Sequence, residues 1–245
     1  MYTERTYRGW SGLDAAARFN VTLGESDLDI QCGEDRRAAA LEKLAALRGD
    51  LERHIARDPV YRTSLVPVRV PPDAPEVVRA MADAASLWNV GPMAAVAGAI
   101  AQLVGEAIAE PGERVIVENG GDIYARAPGE IRCAVYAGER SPFRDRLVIA
   151  VDARDGVGVC TSSGVVGPSL SFGKADAVVV IARSAAVADA AATAIANRIR
   201  TPADVAPVVE ESSGGPGLRA LVACCGDRLA LWGELELVEN ERKRS

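Results

Sequence analysis

One histidine, His54, occurs in 245 residues, and no cysteines or histidines fall at the spacings that hold zinc. A Ser-His or Cys-His couple would have to recruit that single imidazole from a charged helical stretch early in the chain. No G-x-S-x-G is present, so there is no nucleophile elbow. A Walker A loop is absent as well. Gly167 and Gly173 have five residues between them where four are needed, and Ala175 replaces the Ser or Thr that should follow Lys174. Aromatic residues make up 4% of the chain although apolar residues make up 49%. The core must therefore be built from small and branched aliphatic side chains.

Basic charge is also short. Lys and Arg number 28 against 34 Asp and Glu, for a net charge of −6, which argues against a nucleic-acid partner. The longest basic run, "NERKRS", reads as a solvated tail. The opening "MYTERTYRGW" has no apolar h-region, so no signal peptide is expected. The most apolar helical stretch, "PMAAVAGAIAQLVGEAIAE", is mostly Ala and Gly and contains Gln102 and Glu106. It reads as a buried helix, and no membrane partner is expected. Five cysteines, with Cys224 and Cys225 adjacent, make a poor disulfide framework and point to a reducing, cytoplasmic setting.

What is present reads as one large unit. "AARFNVTLGESDLDIQC" has the alternation of a hairpin, and Leu44, Leu47, Leu51 and Ile55 have helical spacing before Pro59. Helices are expected over 75–88 and 92–110, then strand, glycine turn, strand, "APGE" turn, strand. "RLVIAVD" and "DAVVVIA" are apolar enough for central strands. "SAAVADAAATAIANRIR" is helical, and the chain closes as a hairpin about Gly226-Asp227. Strands come in hairpin-like groups with helices between groups. That pattern predicts an α+β layered fold with a largely antiparallel sheet, in a single domain over 1–245. "ESSGGPG" (211–217) is the expected mobile loop, and a homodimer is the expected assembly for a sheet-rich domain of this size.

Three segments could carry chemistry. In "VENGGDIY", Asn119, Gly120, Gly121 and Asp122 form either a tight turn or a place where backbone approaches a ligand between an amide and a carboxylate. On the late helix, Asp189, Thr193 and Asn197 recur at every fourth position. They mark either a solvent face or oxygen ligands for a hard cation such as Mg²⁺. "CTSSG" supplies Thr161, Ser162, Ser163 and Gly164, a turn dense in hydroxyls and amides suited to an anion or a flavin pyrophosphate. Cys160, at its head, is either a reactive thiol or a small buried hydrophobe.

In that order, "VENGGDIY", a Ser-Gly turn and "ADAAAT" resemble the ApbE family, the FAD:protein FMN transferases, which show V-N-x-G-G-D-I, a serine-glycine turn and a late D-x-x-x-T helix. The resemblance implies an ApbE-like fold, with FAD or FMN near Asn119, Gly120, Gly121 and Asp122. It also implies Mg²⁺ held by Asp189 and Thr193 while FMN passes to a Thr or Ser of a target protein. The sequence departs from the family at Glu118, where the family has Asn, and lacks H-x-x-D-P-x-x-G. In its place stands "GPSLSFGKADA". With "CTSSG" this resembles a cytoplasmic, uncharacterised branch for which sulfur handling in homocysteine biosynthesis is implied. There Cys160, with Lys174 as neighbour, would carry a persulfide, with Cys224-Cys225 as the alternative thiols. Three readings follow: a flavin- or nucleotide-binding protein with transferase-related activity, a thiol-based sulfur carrier, and a non-enzymatic ligand-binding module.

Overall fold

The computed structural model describes residues 17–135, 137–138, 141–143, 148–164 and 173–238. The readings of the two chain ends and of "VVGPSLSF" fall outside these residues.

The first hairpin forms as its alternation predicts. Strands β1 (Ala17–Leu23) and β2 (Ser26–Cys32) pair antiparallel, with Leu23 opposite Ser26 and Gly24 at φ 57° in the turn. Helix α1 (Arg37–Arg57) buries Ala40, Leu44, Leu47 and Leu51 along one stripe and ends before Pro59. A short helix α2 (Val60–Thr63) seats the buried Tyr61, whose hydroxyl donates to Val78 O at 2.8 Å. Helix α3 (Glu76–Trp88) stops at Asn89, which takes the left-handed conformation at φ 52°. The helix expected from Pro92 is a 3-10 turn over Pro92–Ala95 followed by α4 (Val96–Ile108).

Eight strands form one antiparallel sheet in the order β1-β2-β3-β4-β7-β8-β9-β10, with β3 (Val115–Asn119), β4 (Asp122–Arg126), β7 (Val157–Ser162), β8 (Ala177–Ala182), β9 (Leu218–Cys225) and β10 (Arg228–Gly233). After β4 the "APGE" turn sends the chain out of this sheet. Strands β5 (Glu130–Ala134), β6 (Val148–Asp152) and β11 (Glu236–Val238) make a second antiparallel sheet with β6 in the middle. Thus β6 and β8 are both interior strands, but in different sheets.

The large sheet is the middle layer. On β8, Val178, Val180 and Ala182 face a core shared with the helices, while Ala177, Val179 and Ile181 face a second core closed by β5 and β6. Both faces are covered, so β8 reads as a continuous apolar run. Cys225 and Cys224 likewise split between the two cores. Helix α5 (Ala185–Ala196) lies on the helix side. Helix α6 (Val205–Ser212) was not among the expected elements. It follows a 3-10 turn over Pro202–Asp204 that starts with a capping box between Thr201 and Asp204, and it buries Val205, Val208, Val209 and Ser212. The loop expected to be mobile is tied down where Trp88 Nε1 donates to Pro216 O at 3.2 Å. Among the described residues no single helix is long and apolar enough to cross a membrane, though α3 and the 92–108 segment pass together across a 103° bend.

Two glycines set how closely α5 approaches its neighbours. A Cβ on Gly158 of β7 would lie 2.3 Å from Ala185 Cα, and one on Gly98 of α4 would lie 2.2 Å from Ala185 O. Gly158→Ala is expected to cost about 1–3 kcal/mol, the range for overpacking a filled interior. Urea denaturation checks this, and an unchanged midpoint would refute the close approach.

Candidate ligand-binding site

"NGGD" is a hairpin turn. Gly120 and Gly121, at φ 72° and 107°, connect β3 to β4 with Asn119 opposite Asp122. Both conformations disfavour side chains, which is why two glycines stand there. The turn is braced by Glu118, a buried carboxylate whose Oε1 accepts the Gly121 N–H at 2.6 Å. Being a turn does not leave its polar side chains idle. Asn119 Nδ2 donates to Ala97 O at 3.2 Å, and Asp122 Oδ1 accepts the Thr161 N–H at 3.1 Å. Asn119 and Asp122 are both buried.

Asp189 is not on a solvent face. Its Oδ2 accepts the Gly98 N–H of α4 at 2.9 Å, so the carboxyl sits where unpaired amides and the helix dipole favour negative charge. Even so, its pKa is pushed well above the usual carboxylate range, first by burial and then by the nearby Asp122 charge. Hydrogen bonds from Gly98 and Ala97 pull the other way. Thr193 follows one turn later and is half-buried, and Asn197 caps the helix end with its N–H to Thr193 O at 3.1 Å.

The "CTSSG" segment begins inside β7. Thr161, Ser162 and Ser163 are half-buried and Gly164 is exposed. Strand alternation turns the Thr161 side chain to the face opposite Cys160, so Thr161 reaches Asp122 through its amide. Gly164 N–H donates to Ala175 O at 3.0 Å, and a Cβ there would lie 2.2 Å from Gly173 O. Lys174 is exposed, with its N–H on Ile199 O at 2.7 Å.

Cys160 is fully buried and its thiol donates to Ala185 O at 3.3 Å. Burial, Asp122 and Asp189 all push its pKa well above the ordinary thiol value. This surrounding favours the thiol over the nucleophilic thiolate. Cys224, also buried, is pushed up to about 12. His54 lies on α1, edge-on to Tyr61 at 4.7 Å between ring centroids, with Nε2 buried and without a hydrogen-bond partner.

The three segments therefore converge on the first turn of α4. Asn119 and Asp189 both bond to it, and Asp122 joins the first segment to the third. The sequence reading missed that turn as a participant. The signal was Gly98, a glycine in the first turn of a mostly apolar helix. The donor set suits a hard cation: two carboxylates and a hydroxyl, all oxygen. Among the described residues no cluster of three or more His, Cys, Asp or Glu could hold a metal alone. Mg²⁺ normally completes its shell with water and ligand phosphates, so two carboxylates fit it.

The layered sheet, the order of its strands and the meeting of "NGGD", "TSSG" and the D-x-x-x-T helix define an ApbE-like α+β protein. Solved structures with this fold include the apo form of Pseudomonas stutzeri flavinyl transferase ApbE, with a TM-score of 0.56 at 13% identity over 88% of this chain and 93% of that one. The ApbE protein of Thermotoga maritima matches with a TM-score of 0.55 at 13% identity over 92% and 98% of the two chains. A family model described as "AbpE bacteria" matches residues 11–213. A UPF0280 protein of Methanocella arvoryzae is 41% identical over 215 residues, 87% of each chain. The chain belongs to this ApbE-like family.

Two predictions come from the buried acids and thiols. The raised folded-state pKa of Asp189 makes its neutral form stabilising. That contribution is fully present below the ordinary carboxylate value and is lost as pH rises through the raised one. In metal-free buffer, Asp189→Asn should flatten the fall in melting temperature from mildly acidic to mildly alkaline pH, and parallel profiles would contradict the assignment. Separately, all five cysteines are buried, so native protein at neutral pH should react with a thiol reagent far more slowly than urea-unfolded protein. Rapid native labelling of Cys160 would refute its placement.

Proposed function

We propose that this protein binds a flavin nucleotide together with Mg²⁺ at the junction of "NGGD", "TSSG" and α5, and that any chemistry it performs is related to flavin transfer. The observation that carries the reading is the pair Asp122 and Asp189. They come from two different segments, Asp189 is held by the Gly98 N–H at the start of α4 and Asp122 by the Thr161 N–H of β7, and they lie close enough for one charge to suppress the other. Such a pair resists ionising together unless a cation joins it. Asp189, Asp122 and the Thr193 hydroxyl would hold the ion, and the ion would neutralise phosphate charge on the ligand. Asn119, held by its bond to Ala97 O, and the Gly120-Gly121 turn, braced by Glu118, border the same edge. The similarity to a flavinyl transferase fold makes a flavin the first ligand to test.

Transfer to an acceptor hydroxyl would further need a base. His54, the only histidine, is held on α1 against Tyr61, so that role does not fall to imidazole. No observation favours the persulfide reading, because the Cys160 thiol is buried and hydrogen-bonded to a backbone carbonyl.

Titration with FAD and with FMN, followed by flavin fluorescence with and without Mg²⁺, tests the proposal. Micromolar, Mg²⁺-dependent binding, about −8 kcal/mol, is expected, with FAD ahead of FMN because its diphosphate offers the ion more oxygen. Asp189→Ala should abolish the Mg²⁺ dependence. Equal affinity with and without the ion would remove the metal assignment, and no binding of either flavin would remove the ligand.

A further inference from the structure

We propose that the protein has a second ligand site beside the first turn of α5, taking a small anion, carboxylate or phosphate, borne on a flat apolar body. A cavity of about 610 Å³ opens there, within the roughly 300–1,000 Å³ common for small-molecule sites. It shares no residue with the site described above. Its lining includes Arg183, Val187, Arg219, Trp232, Gly233 and Glu234.

Its charge is the main argument. Arg183 follows the last residue of β8, and Arg219 is the β9 residue passed over where the register shifts, since Ile181 faces Ala220 and Ala182 faces Leu218. A shift of this kind re-aims side chains, and here two guanidinium groups line one cavity. Like charges on neighbouring strands repel unless an anion lies between them. The carboxylates at hand are Glu234, 3.9 Å from Arg219 and 83% exposed, and Asp152, which is already paired with Arg154, so compensation is weak. Among the described residues no ion pair joins Arg183. In a chain of net charge −6 this is a local excess of positive charge in a concave place, where field is focused.

The walls supply the rest. Trp232 and Val187 offer flat and branched apolar surface, both only partly buried. Gly233, at φ 96°, has no room for a side chain, since a Cβ would lie 2.2 Å from Arg219 O, so bare backbone borders the guanidinium groups. Arg219 is oriented by its bond to Asp152 O at 3.2 Å, leaving a planar fork for two-point recognition of an anion.

Isothermal titration calorimetry with 1-naphthoate and phenyl phosphate, against uncharged 1-naphthamide, tests this. Both anions should bind in the millimolar range or tighter, with naphthamide weaker by about tenfold or more, the worth of a charge-assisted hydrogen bond. Arg183→Ala, a change at an exposed side chain that does not threaten the fold, should weaken both anions by about the same factor. Asp189→Asn should leave them unchanged. Equal binding of acid and amide, wild-type affinity in Arg183→Ala, loss of affinity in Asp189→Asn, or no binding of either anion would each overturn the proposal.

Discussion

Ala185 is the point on which the helix layer hangs. Its Cα stands where a side chain on Gly158 would be, and its carbonyl oxygen stands where one on Gly98 would be. The same carbonyl accepts the Cys160 thiol, and its amide donates to Gln102 Oε1 at 2.8 Å. One small residue thus fastens α5 to the sheet on one side and to α4 on the other. The alanine-rich face of α5 follows from this spacing, because a close-packed joint with so little room admits only short side chains there. Ser184 joins the same joint, donating to Gln102 Oε1 at 3.0 Å while its oxygen caps α5 at Val187. α5 has no freedom to slide, and Asp189, one turn further along, is carried to the start of α4.

That placement decides what the site can accept. A turn rich in hydroxyls and amides suggests an anion cradle when read alone. Next to it stand the buried carboxylate of Asp122 and the half-buried one of Asp189, and an anion arriving without a counter-charge would meet them first. The hydrogen bonds from Thr161 N–H and Gly98 N–H stabilise the carboxylates individually but do not remove their mutual repulsion. The proposed ligand, which brings phosphate and cation together, answers both features at once.

Much of the architecture was legible in the sequence because each layer leaves a periodic trace. The alternation in β1 and β2, the Leu44–Leu47–Leu51 stripe and the uninterrupted apolar run of β8 each match one element. What periodicity does not encode is pairing. Nothing local in "APGE" says that β5 leaves the main sheet, or that β6 and β8, alike in composition, serve different sheets. Helix α6 was missed although Val205, Val208 and Val209 form a stripe, because it is only eight residues long and contains Pro207. At the site, the three segments were visible as motifs, but the turn of α4 they share was not, since it contributes backbone groups that any residue carries. Cys160 looked chemical from its neighbours in sequence. Its neighbours in space are two acids and a carbonyl, which keep it a thiol.

Glu118 shows how a departure from a family pattern can be neutral at the site and useful beside it. Along β3, Val117 and Asn119 face the helices, while Ile116 faces the second core, so alternation sends Glu118 away from Asp122 and Asp189. Its negative charge is therefore not added to the acidic pair. From the far face it accepts the Gly121 N–H and holds the two-glycine turn in shape. An asparagine oxygen could accept the same hydrogen bond only with a side chain one carbon shorter. The longer carboxylate keeps the turn while leaving the helix-side face to Asp122 and Asp189, the pair that the proposed function assigns to a cation.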